Sequence, residues 1–402
     1  MQRQPVAHLG EPSSNLSGVE VAERLMNAFA ERTGLEVLGD PTRRYLWTDA
    51  FAVRTLLVLH ERTGREVHLA RATRLLDLVH ARLGRHRGDD GRIGWISGLD
   101  EHDGSNHPTA GGLRIGKLRP ERMAGEPFDE RLEWERDGQY FHYLTQWMHA
   151  LERFAEATDD PHWIRLAIEL VEAACRGFAR RPFEGASPRL AWKMSIDLSR
   201  ALVDAPGHLD PLDGFVAARR VAATAARLEG SPGRDGVLAS ESAMLRMMCD
   251  RTTSWSTLDP LGLGGLLVEG SHLVELIADG SLPPDPLLGR VLVDALRSLR
   301  AVAIEHDLAR PLEGRLAFRE LGLAIGLRSV AAATRRFDEQ PGRFEDGRAA
   351  ALRAILESMN AFVPLASSIE RSWMDPAAPA TRAWSEHRDI DEVMLAASLV
   401  AG

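Results

Sequence analysis

The sequence predicts an all-α protein folded as an (α/α)6 toroid, in which six inner helices are enclosed by six outer helices in a single domain. Strand signals are nearly absent, because alternating runs of Val, Ile and Thr and Asn-Gly hairpin turns are missing. Helical periodicity runs along the chain instead, and two kinds of helix alternate. With 402 residues, 44% of them apolar, the chain is long enough to bury a core of this size.

The first kind of helix has an apolar stripe on one side and an Arg/Glu face on the other. We expect such helices to form the outer layer, because one side of each must face water. The segments with this pattern are 19–32, 65–83, 161–178, 286–306 and 348–362, with a weaker candidate at 240–250.

The second kind of helix is apolar on nearly every side, or carries small residues and few charges past its first turn. This pattern is typical of helices buried on most sides, so we expect these helices to form the inner ring. The six segments with this pattern are 48–59, 138–151, 210–221, 259–277, 315–330 and 390–401.

The spacing of the helices favours a closed toroid over an open α-solenoid, which is the alternative. Solenoid repeats are more uniform, at roughly 34 to 47 residues per helix pair. Here the spacing is irregular, and a long loop spans 84–137. We expect residues 1–18 to form a flexible segment, residues 19–402 to form the toroid, and the long loop to be functional, as long ordered loops usually are.

The charge and composition of the chain exclude several classes of partner. The net charge is -9, so no basic surface exists to hold nucleic acid or an anionic membrane. The two cysteines cannot build a disulfide framework. No apolar signal-peptide core is found in the first ten residues, and no bilayer-length stretch is free of charges. We therefore expect a cytoplasmic bacterial protein, and the sequence leaves its oligomeric state open.

Polar and aromatic residues cluster at the amino ends of the predicted inner helices, which converge on one mouth in a toroid. Asp210 and Asp259, each followed by proline, are interpreted as helix caps. Capping does not explain the aromatic and cationic residues beside such positions. Aromatic faces pack on sugar rings while carboxylates accept hydrogen bonds from sugar hydroxyls, so the pattern favours a sugar ligand.

The first inner helix also resembles a known family. The run 45–51, Tyr-Leu-Trp-Thr-Asp-Ala-Phe, followed by Leu56, Leu59 and Thr63-Gly64, resembles the first inner hairpin of six-hairpin glycosidases. In members that act on unsaturated uronic sugars, this hairpin has a similar sequence. The sequence lacks the other catalytic signatures of those families, the paired histidines of sugar 2-epimerases and the zinc ligands of lanthionine cyclases. The resemblance therefore implies a fold and a substrate class rather than a reaction.

Carboxylates near the mouth are the candidate catalytic residues, because glycoside hydrolysis uses one general acid and one base or nucleophile. Glu133 and Asp137 lie just ahead of the second inner helix, and either is a candidate general acid. Asp49 or Asp197 is the candidate base that activates water. The alternative for each is a structural carboxylate that caps a helix or pairs with arginine.

The remaining candidates would bind the substrate. Trp47, Trp95, Trp134 and Trp192 are predicted stacking platforms. Arg114, Lys193 and Arg200 are predicted to hold an acidic group of the sugar, and Trp192, Lys193 and Arg200 belong to a predicted loop over the mouth, with a buried connection as the alternative. The other predicted binding residues near the mouth are Tyr140, His142, Asp213 and His387.

Two motifs do not support a cofactor or a metal. The run 111–117, GGLRIGK, matches part of a phosphate-binding loop, but Leu118 stands where Ser or Thr would hold magnesium. His102 and His107 fit no standard zinc spacing. We therefore expect neither a metal nor a cofactor.

Three functions remain open at the level of sequence. The first is a glycoside hydrolase that uses two carboxylates on a short, possibly acidic, oligosaccharide. The second is a sugar isomerase or epimerase that uses His142 or His387 as its acid–base group. The third is a non-catalytic toroid that binds a ligand or a partner.

Overall fold

The computed structural model describes residues 17–36, 43–181, 183, 185–230, 236–305, 310–344 and 346–401. The predicted flexible segment 1–18 lies outside these residues, except for Ser17 and Gly18. Ser17 caps the first helix: its side chain accepts a hydrogen bond from the Glu20 amide, and the Glu20 carboxylate accepts one from the Ser17 amide. This reciprocal capping box defines the start of the helix.

The predicted inner ring of six helices is confirmed. Consecutive members pack side by side, and the last packs back against the first, which closes the ring. The inner helices are α2 (Leu46–Thr63), α6 (Phe141–Thr158), α8 (Asp210–Glu229), α10 (Pro260–Ala278), α12 (Ala317–Glu339) and α16 (Arg388–Val400).

The outer layer also follows the prediction, with one addition. Each outer helix packs on the inner helix next to it in the chain. The outer helices are α1 (Gly18–Arg32), α3 (Glu66–Leu83), α7 (Pro161–Phe178), α9 (Ala239–Arg251), α11 (Pro286–Glu305), α13 (Asp346–Asn360) and α14 (Pro364–Trp373). The sequence pattern predicted one helix where α13 and α14 both pack on α12. Pro364 begins α14, in agreement with the preference of proline for the first helical turn.

Glycines allow two of the inner helices to pack unusually close together. A Cβ atom added at Gly264 of α10 would lie 2.1 Å from the carbonyl oxygen of Gly322 in α12. A Cβ atom at Gly326 would lie 2.5 Å from the carbonyl oxygen of Gly264. These contacts are between backbones, so no side-chain movement could relieve them. The close packing of α10 and α12 therefore requires the glycines at these positions.

The long loop after α3 folds over the amino ends of the inner helices. It contains two short helices, α4 (Glu101–Asn106) and α5 (Glu130–Glu135). The residues just after it form strand β1 (Gln139–Tyr140), which pairs with β4 (Lys193–Met194), and β4 pairs with β5 (Ala201–Val203). The remaining short elements are β2 (Ala179–Arg180), β3 (Arg189–Leu190) and the helix α15 (Arg382–Glu386). Neither small sheet was predicted, because strands of two or three residues carry no detectable alternation.

Two helical stretches are long and apolar enough to cross a membrane, judged by length and composition alone. One of them, Pro260–Ala278, is the inner helix α10, and 67% of its window is buried within the structure. The other, Gly347–Trp373, covers most of α13 and all of α14, and 17% of its window is buried. A core helix of a soluble protein passes the same test, so this property by itself is weak evidence of a membrane span.

Candidate active site

A cavity of about 1210 Å³ opens at the amino ends of the inner helices and continues into the centre of the ring. The start of every inner helix contributes to its wall, as the toroid prediction requires. Lining residues at these starts include Trp47, Tyr140, His142, Asp210, Asp213, Asp259, Phe318, Arg319, His387 and Arg388. The long loop adds Lys117 and Trp134, and the segment before β4 adds Trp192.

An aromatic wall forms one side of the mouth. The ring centroids of Trp134 and Trp192 are 4.8 Å apart, and those of Tyr140 and Trp192 are 4.9 Å apart. Tyr143 links this group to Trp47, with ring centroids 5.2 Å apart. Trp134 is 48% exposed, which leaves part of its indole free at the mouth. The wall offers apolar faces beside polar groups, as sugar recognition requires.

Two aspartates at the start of α8 face the same cavity. Asp210 and Asp213 are three residues apart, so they lie one above the other on one side of the helix. Burial raises the pKa of Asp210 to about 7. Burial also raises the pKa of Asp213 well above its ordinary value, and the negative charges of Glu269 and Asp210 raise it further. Both shifts favour the protonated form of these carboxyl groups.

The structure corrects the interpretation of Asp210 as a helix cap. The cap position of α8 is Leu209, and Asp210 is already inside the helix without a capping bond to it. One carboxylate oxygen of Asp210 is buried and has no hydrogen-bond partner among the described residues. Asp259 does cap its helix, because its side chain accepts a 2.9 Å hydrogen bond from the Gly262 amide.

His142 connects the aspartates to the aromatic wall. Its Nδ1 atom is 3.9 Å from an Asp210 oxygen, and its ring is nearly parallel to Trp192, with an interplanar angle of 9°. Burial lowers the pKa of His142 to about 4. The imidazole is therefore neutral at physiological pH and could accept a proton.

A second polar cluster lies deeper, on the walls of α6 and α10. The carboxylate of Glu269 is 3.7 Å from Nε2 of His149 and 3.4 Å from Nδ1 of His272. Burial lowers the pKa of both histidines, that of His272 to about 3. Arg54 of α2 faces the same region and donates a 2.8 Å hydrogen bond to Gln146. With a rise of about 1.5 Å per residue, the three cluster residues lie roughly 12 to 18 Å from the amino ends of their helices.

The four carboxylates predicted to be catalytic do not line this cavity, and two of them are enclosed in ion pairs under the long loop. Asp137 is fully buried and accepts hydrogen bonds from Arg87, Arg114 and the Gly116 amide. Glu133 accepts hydrogen bonds from Lys193 and Arg122. Both side chains therefore hold the loop in place, which is the structural alternative that the sequence left open.

The two predicted bases, Asp49 and Asp197, do not line the cavity and are also held by structural partners. Asp49 accepts a hydrogen bond from the Tyr45 amide at the start of α2 and lies 3.7 Å from Arg44. Burial raises the pKa of Asp49 to about 6, although the charge of Arg44 opposes this shift. Asp197 accepts hydrogen bonds from Ser195 and Ser199 and pairs with Arg92. These contacts give both residues the structural role that the sequence left as the alternative, instead of the role of the base.

The predicted binding residues divide into two groups. Seven line the cavity: Trp47, Trp134, Tyr140, His142, Trp192, Asp213 and His387. Four do not. Trp95 is buried beneath the Arg85 guanidinium, and Arg114 pairs with Asp137. Lys193 is fully buried against Glu133, and Arg200 donates a hydrogen bond to the carbonyl of Arg122.

Three site residues were missed by the sequence-based prediction or set aside by it. None of His149, Glu269 and His272 is among the site residues predicted above, and the last two lie within an apolar helix. The available signal was the pair Glu269 and His272, spaced by three in α10, where charged residues are otherwise rare. A polar pair inside a helix that is buried on most sides needs a partner, and here the partner comes from α6.

Comparisons with known proteins identify the fold alone. No family model matches the chain, and no curated protein matches it. The GH76A alpha-1,6-mannanase from Salegentibacter sp. HEL1_6 is 14% identical, with a TM-score of 0.52 over 95% of this chain and 98% of that one. An inactive variant of that mannanase with two consecutive aspartates changed to alanine, in complex with alpha-1,6-mannotetrose, is 13% identical, with a TM-score of 0.53 over 96% and 99%.

A third similar structure is the cellobiose 2-epimerase from Spirochaeta thermophila DSM 6192. It is 12% identical, with a TM-score of 0.45 over 84% of each chain, which is too distant to support an argument. The similarity to the mannanase confirms the (α/α)6 toroid that the alternation of helices predicted.

Proposed function

We propose that the protein is a carbohydrate-active enzyme that hydrolyses a glycosidic bond with Asp210 and Asp213. One observation carries this proposal: two buried carboxyl groups, one helical turn apart, face a large cavity and form no ion pair with arginine or lysine among the described residues. By contrast, the buried carboxylates Asp137 and Glu133, which the sequence had made candidates, are tied to cations. A carboxyl group kept free in this way is available to exchange a proton with a ligand.

The two carboxyl groups have different surroundings, which suggests their roles. Asp213 is close to two other negative groups, Glu269 and Asp210, and no described residue donates a hydrogen bond to its carboxylate. These surroundings favour its protonated form, so Asp213 would serve as the general acid that protonates the leaving oxygen. Asp210, with a pKa of about 7, would supply the ionised carboxylate that activates water or attacks the sugar.

The shape of the cavity supports a sugar chain of more than one ring. Its volume, about 1210 Å³, exceeds the roughly 300 to 1,000 Å³ of ordinary small-molecule pockets. Trp134, Trp192 and Tyr140 would stack on the sugar at the mouth, and Arg319 or Arg388 at the rim would meet an acidic substituent. The short, possibly acidic, oligosaccharide expected from the sequence remains the proposed substrate.

The mannanase supports the class of ligand but not the identity of the sugar. Its inactive variant was made at consecutive aspartates. The present chain contains such pairs at 89–90 and 159–160, and neither pair lines the cavity. We therefore propose the reaction from this chain's own carboxylates and assign no mannose specificity.

The proposal is tested by turnover of an oligosaccharide panel with released reducing ends as the readout. Asp213→Asn and Asp210→Asn should each abolish release, by at least about 100-fold, because removing an acid–base group costs roughly 10² to 10⁴ in rate. Glu386→Gln is the matched control, since this exposed rim carboxylate also lines the cavity but pairs with Arg382. If Asp213→Asn released reducing ends at the rate of the wild type, this result would contradict the assignment.

A second candidate function, sugar isomerisation or epimerisation, is favoured by His142. A neutral imidazole beside Asp210 and stacked on Trp192 could move a proton at a carbon next to a sugar carbonyl. Mass spectrometry of the product separates the two reactions, because hydrolysis adds one water and isomerisation leaves the mass unchanged. If the product had the mass of the substrate and His142→Gln lost activity, isomerisation or epimerisation would replace hydrolysis as the proposed function.

A further inference from the structure

We propose that His149, Glu269 and His272 form a binding site for one divalent transition-metal ion, deep in the cavity below Asp213. One donor atom from each of these residues lies within 4.8 Å of the others. Donors bound to one ion at about 2.0 to 2.2 Å lie roughly 3 to 4 Å apart, so a small closure of the side chains would complete the site. The inference goes beyond the proposed hydrolysis, which depends on Asp210 and Asp213.

The orientation of His149 is the independent sign of a ligand. Its residue is 2% exposed, and neither ring nitrogen has a hydrogen-bond partner among the described residues. A buried imidazole without partners costs stability, and ordinary core histidines are hydrogen-bonded. The side chain also lines the cavity, and its Nε2 atom is 3.7 Å from the Glu269 carboxylate.

The arrangement on the helices is suited to ligating a metal. Glu269 and His272 are three residues apart on α10, so both side chains project from the same side of that helix. A Glu-x-x-His spacing on a helix that faces a bundle interior is a recurring metal-binding arrangement. His149 approaches the Glu269 carboxylate from α6 on the neighbouring wall.

The choice of ligands indicates the class of metal. Two imidazoles and one carboxylate favour first-row transition ions such as Zn²⁺, Mn²⁺ or Fe²⁺ over Ca²⁺ and Mg²⁺, which prefer all-oxygen sites. Three protein ligands that open on a cavity leave positions for water or a sugar hydroxyl, which is typical of catalytic rather than structural sites.

The charges around the cluster can accommodate a cation. Arg54 and Arg220 are the nearby positive groups. Arg220 is held by Glu275 at 2.6 Å and by Glu152 at 3.2 Å, so its charge is largely neutralised. Arg54 interacts with the Glu269 carboxylate and remains the opposing charge. The Glu269 carboxylate, which is one of the proposed ligands, balances it on the side of the proposed ion.

The experiment uses Zn²⁺ and Co²⁺ as probes on the full-length protein after removal of metal with a chelator. Calorimetric titration with Zn²⁺ should give one ion per chain, and Co²⁺ should give a visible absorption band from nitrogen ligation. Glu269→Gln and His272→Gln should each weaken binding by about 100-fold or more, since even loss of an outer partner costs 10- to 100-fold. His208→Gln, a histidine of the same cavity outside the cluster, should bind like the wild type.

Two results would overturn the proposal. The first is a wild-type protein that binds neither probe. The second is equal binding by the wild type, Glu269→Gln and His272→Gln, which would locate the ion elsewhere. Thermal unfolding without metal shows whether each variant is folded, and Glu269→Gln keeps the side-chain volume. Because the readout is the bound ion rather than turnover, failure of this site and failure of the proposed hydrolysis are distinguishable.

Discussion

Replacing Lys193 with methionine should destabilise the protein without removing a ligand contact. Lys193 is fully buried, and its ammonium donates to the Glu133 carbonyl at 2.6 Å, the Glu133 carboxylate at 2.9 Å and the Arg136 carbonyl at 2.9 Å. The bonds join β4 to the end of the long loop. Methionine keeps the length and apolar stem of the side chain but supplies no donor.

The size of the effect follows from these three contacts. The Arg136 carbonyl loses its Lys193 donor, whereas the Glu133 carbonyl keeps the Arg136 amide at 3.4 Å. A buried unsatisfied group costs about 1 to 3 kcal/mol. Glu133 keeps one cation, because Arg122 still donates to its other oxygen at 2.8 Å. Breaking a buried ion pair from one side typically costs about 3 to 5 kcal/mol. We therefore expect Lys193→Met to lower the free energy of unfolding by about 3 to 5 kcal/mol.

Urea unfolding followed by tryptophan fluorescence measures this change, with Lys117→Met as the matched control. Lys117 is the other lysine of the chain, is only partly buried, and donates a hydrogen bond to the Trp134 carbonyl. Its replacement should cost about 1 kcal/mol or less. If Lys193→Met unfolds within about 1 kcal/mol of the wild type and instead loses sugar binding, the structural assignment of Lys193 would be refuted.

Two further predictions follow from the inner ring. Gly264→Ala should destabilise the protein by about 3 kcal/mol or more in urea unfolding, because the new methyl group meets the Gly322 backbone at 2.1 Å. Gly265→Ala, whose nearest contact is a Leu209 side-chain atom at 3.7 Å, should be neutral or stabilising, and equal midpoints for the two variants would contradict the close packing. Asp210→Asn should become increasingly stable relative to the wild type as pH rises from 3.8 to about 7. The Asp210 carboxyl group binds its proton more tightly in the folded wild type than in the unfolded chain, so the wild type loses stability as pH rises over this range. If the difference in the free energy of unfolding between the two proteins did not change with pH, Asp210 would not be a buried carboxyl group.

The fold could be predicted because its determinants are local in the sequence. Whether a helix is apolar on one side or on nearly all sides can be counted along each segment, and this property separates the outer from the inner helices. The aromatic residues of the mouth were found for a similar reason. Trp47, Tyr140 and His142 lie at or beside the first residues of inner helices, and a closed ring of helices brings those ends together.

The carboxylates that we propose as catalytic could not be predicted in this way, because a carboxylate's role depends on which cation reaches it. Asp137 is held by Arg87 and Arg114, which precede it by 50 and 23 residues. Glu133 is held by Lys193, 60 residues further along. Asp210 resembled a helix cap in sequence. In the structure Leu209 occupies the cap position of α8, so Asp210 is the first residue of the helix, and its side chain lines the cavity.

The sequence by itself determined the helical class, the two layers and the aromatic mouth, since these depend on periodicity within single helices. The tertiary structure alone decided which acids are neutralised and which face the cavity. It also brought His149 of α6 to Glu269 and His272 of α10, about 120 residues apart in the chain. Electrostatic energies depend on distances across the ring, and such distances are not encoded in the spacing of residues along one chain.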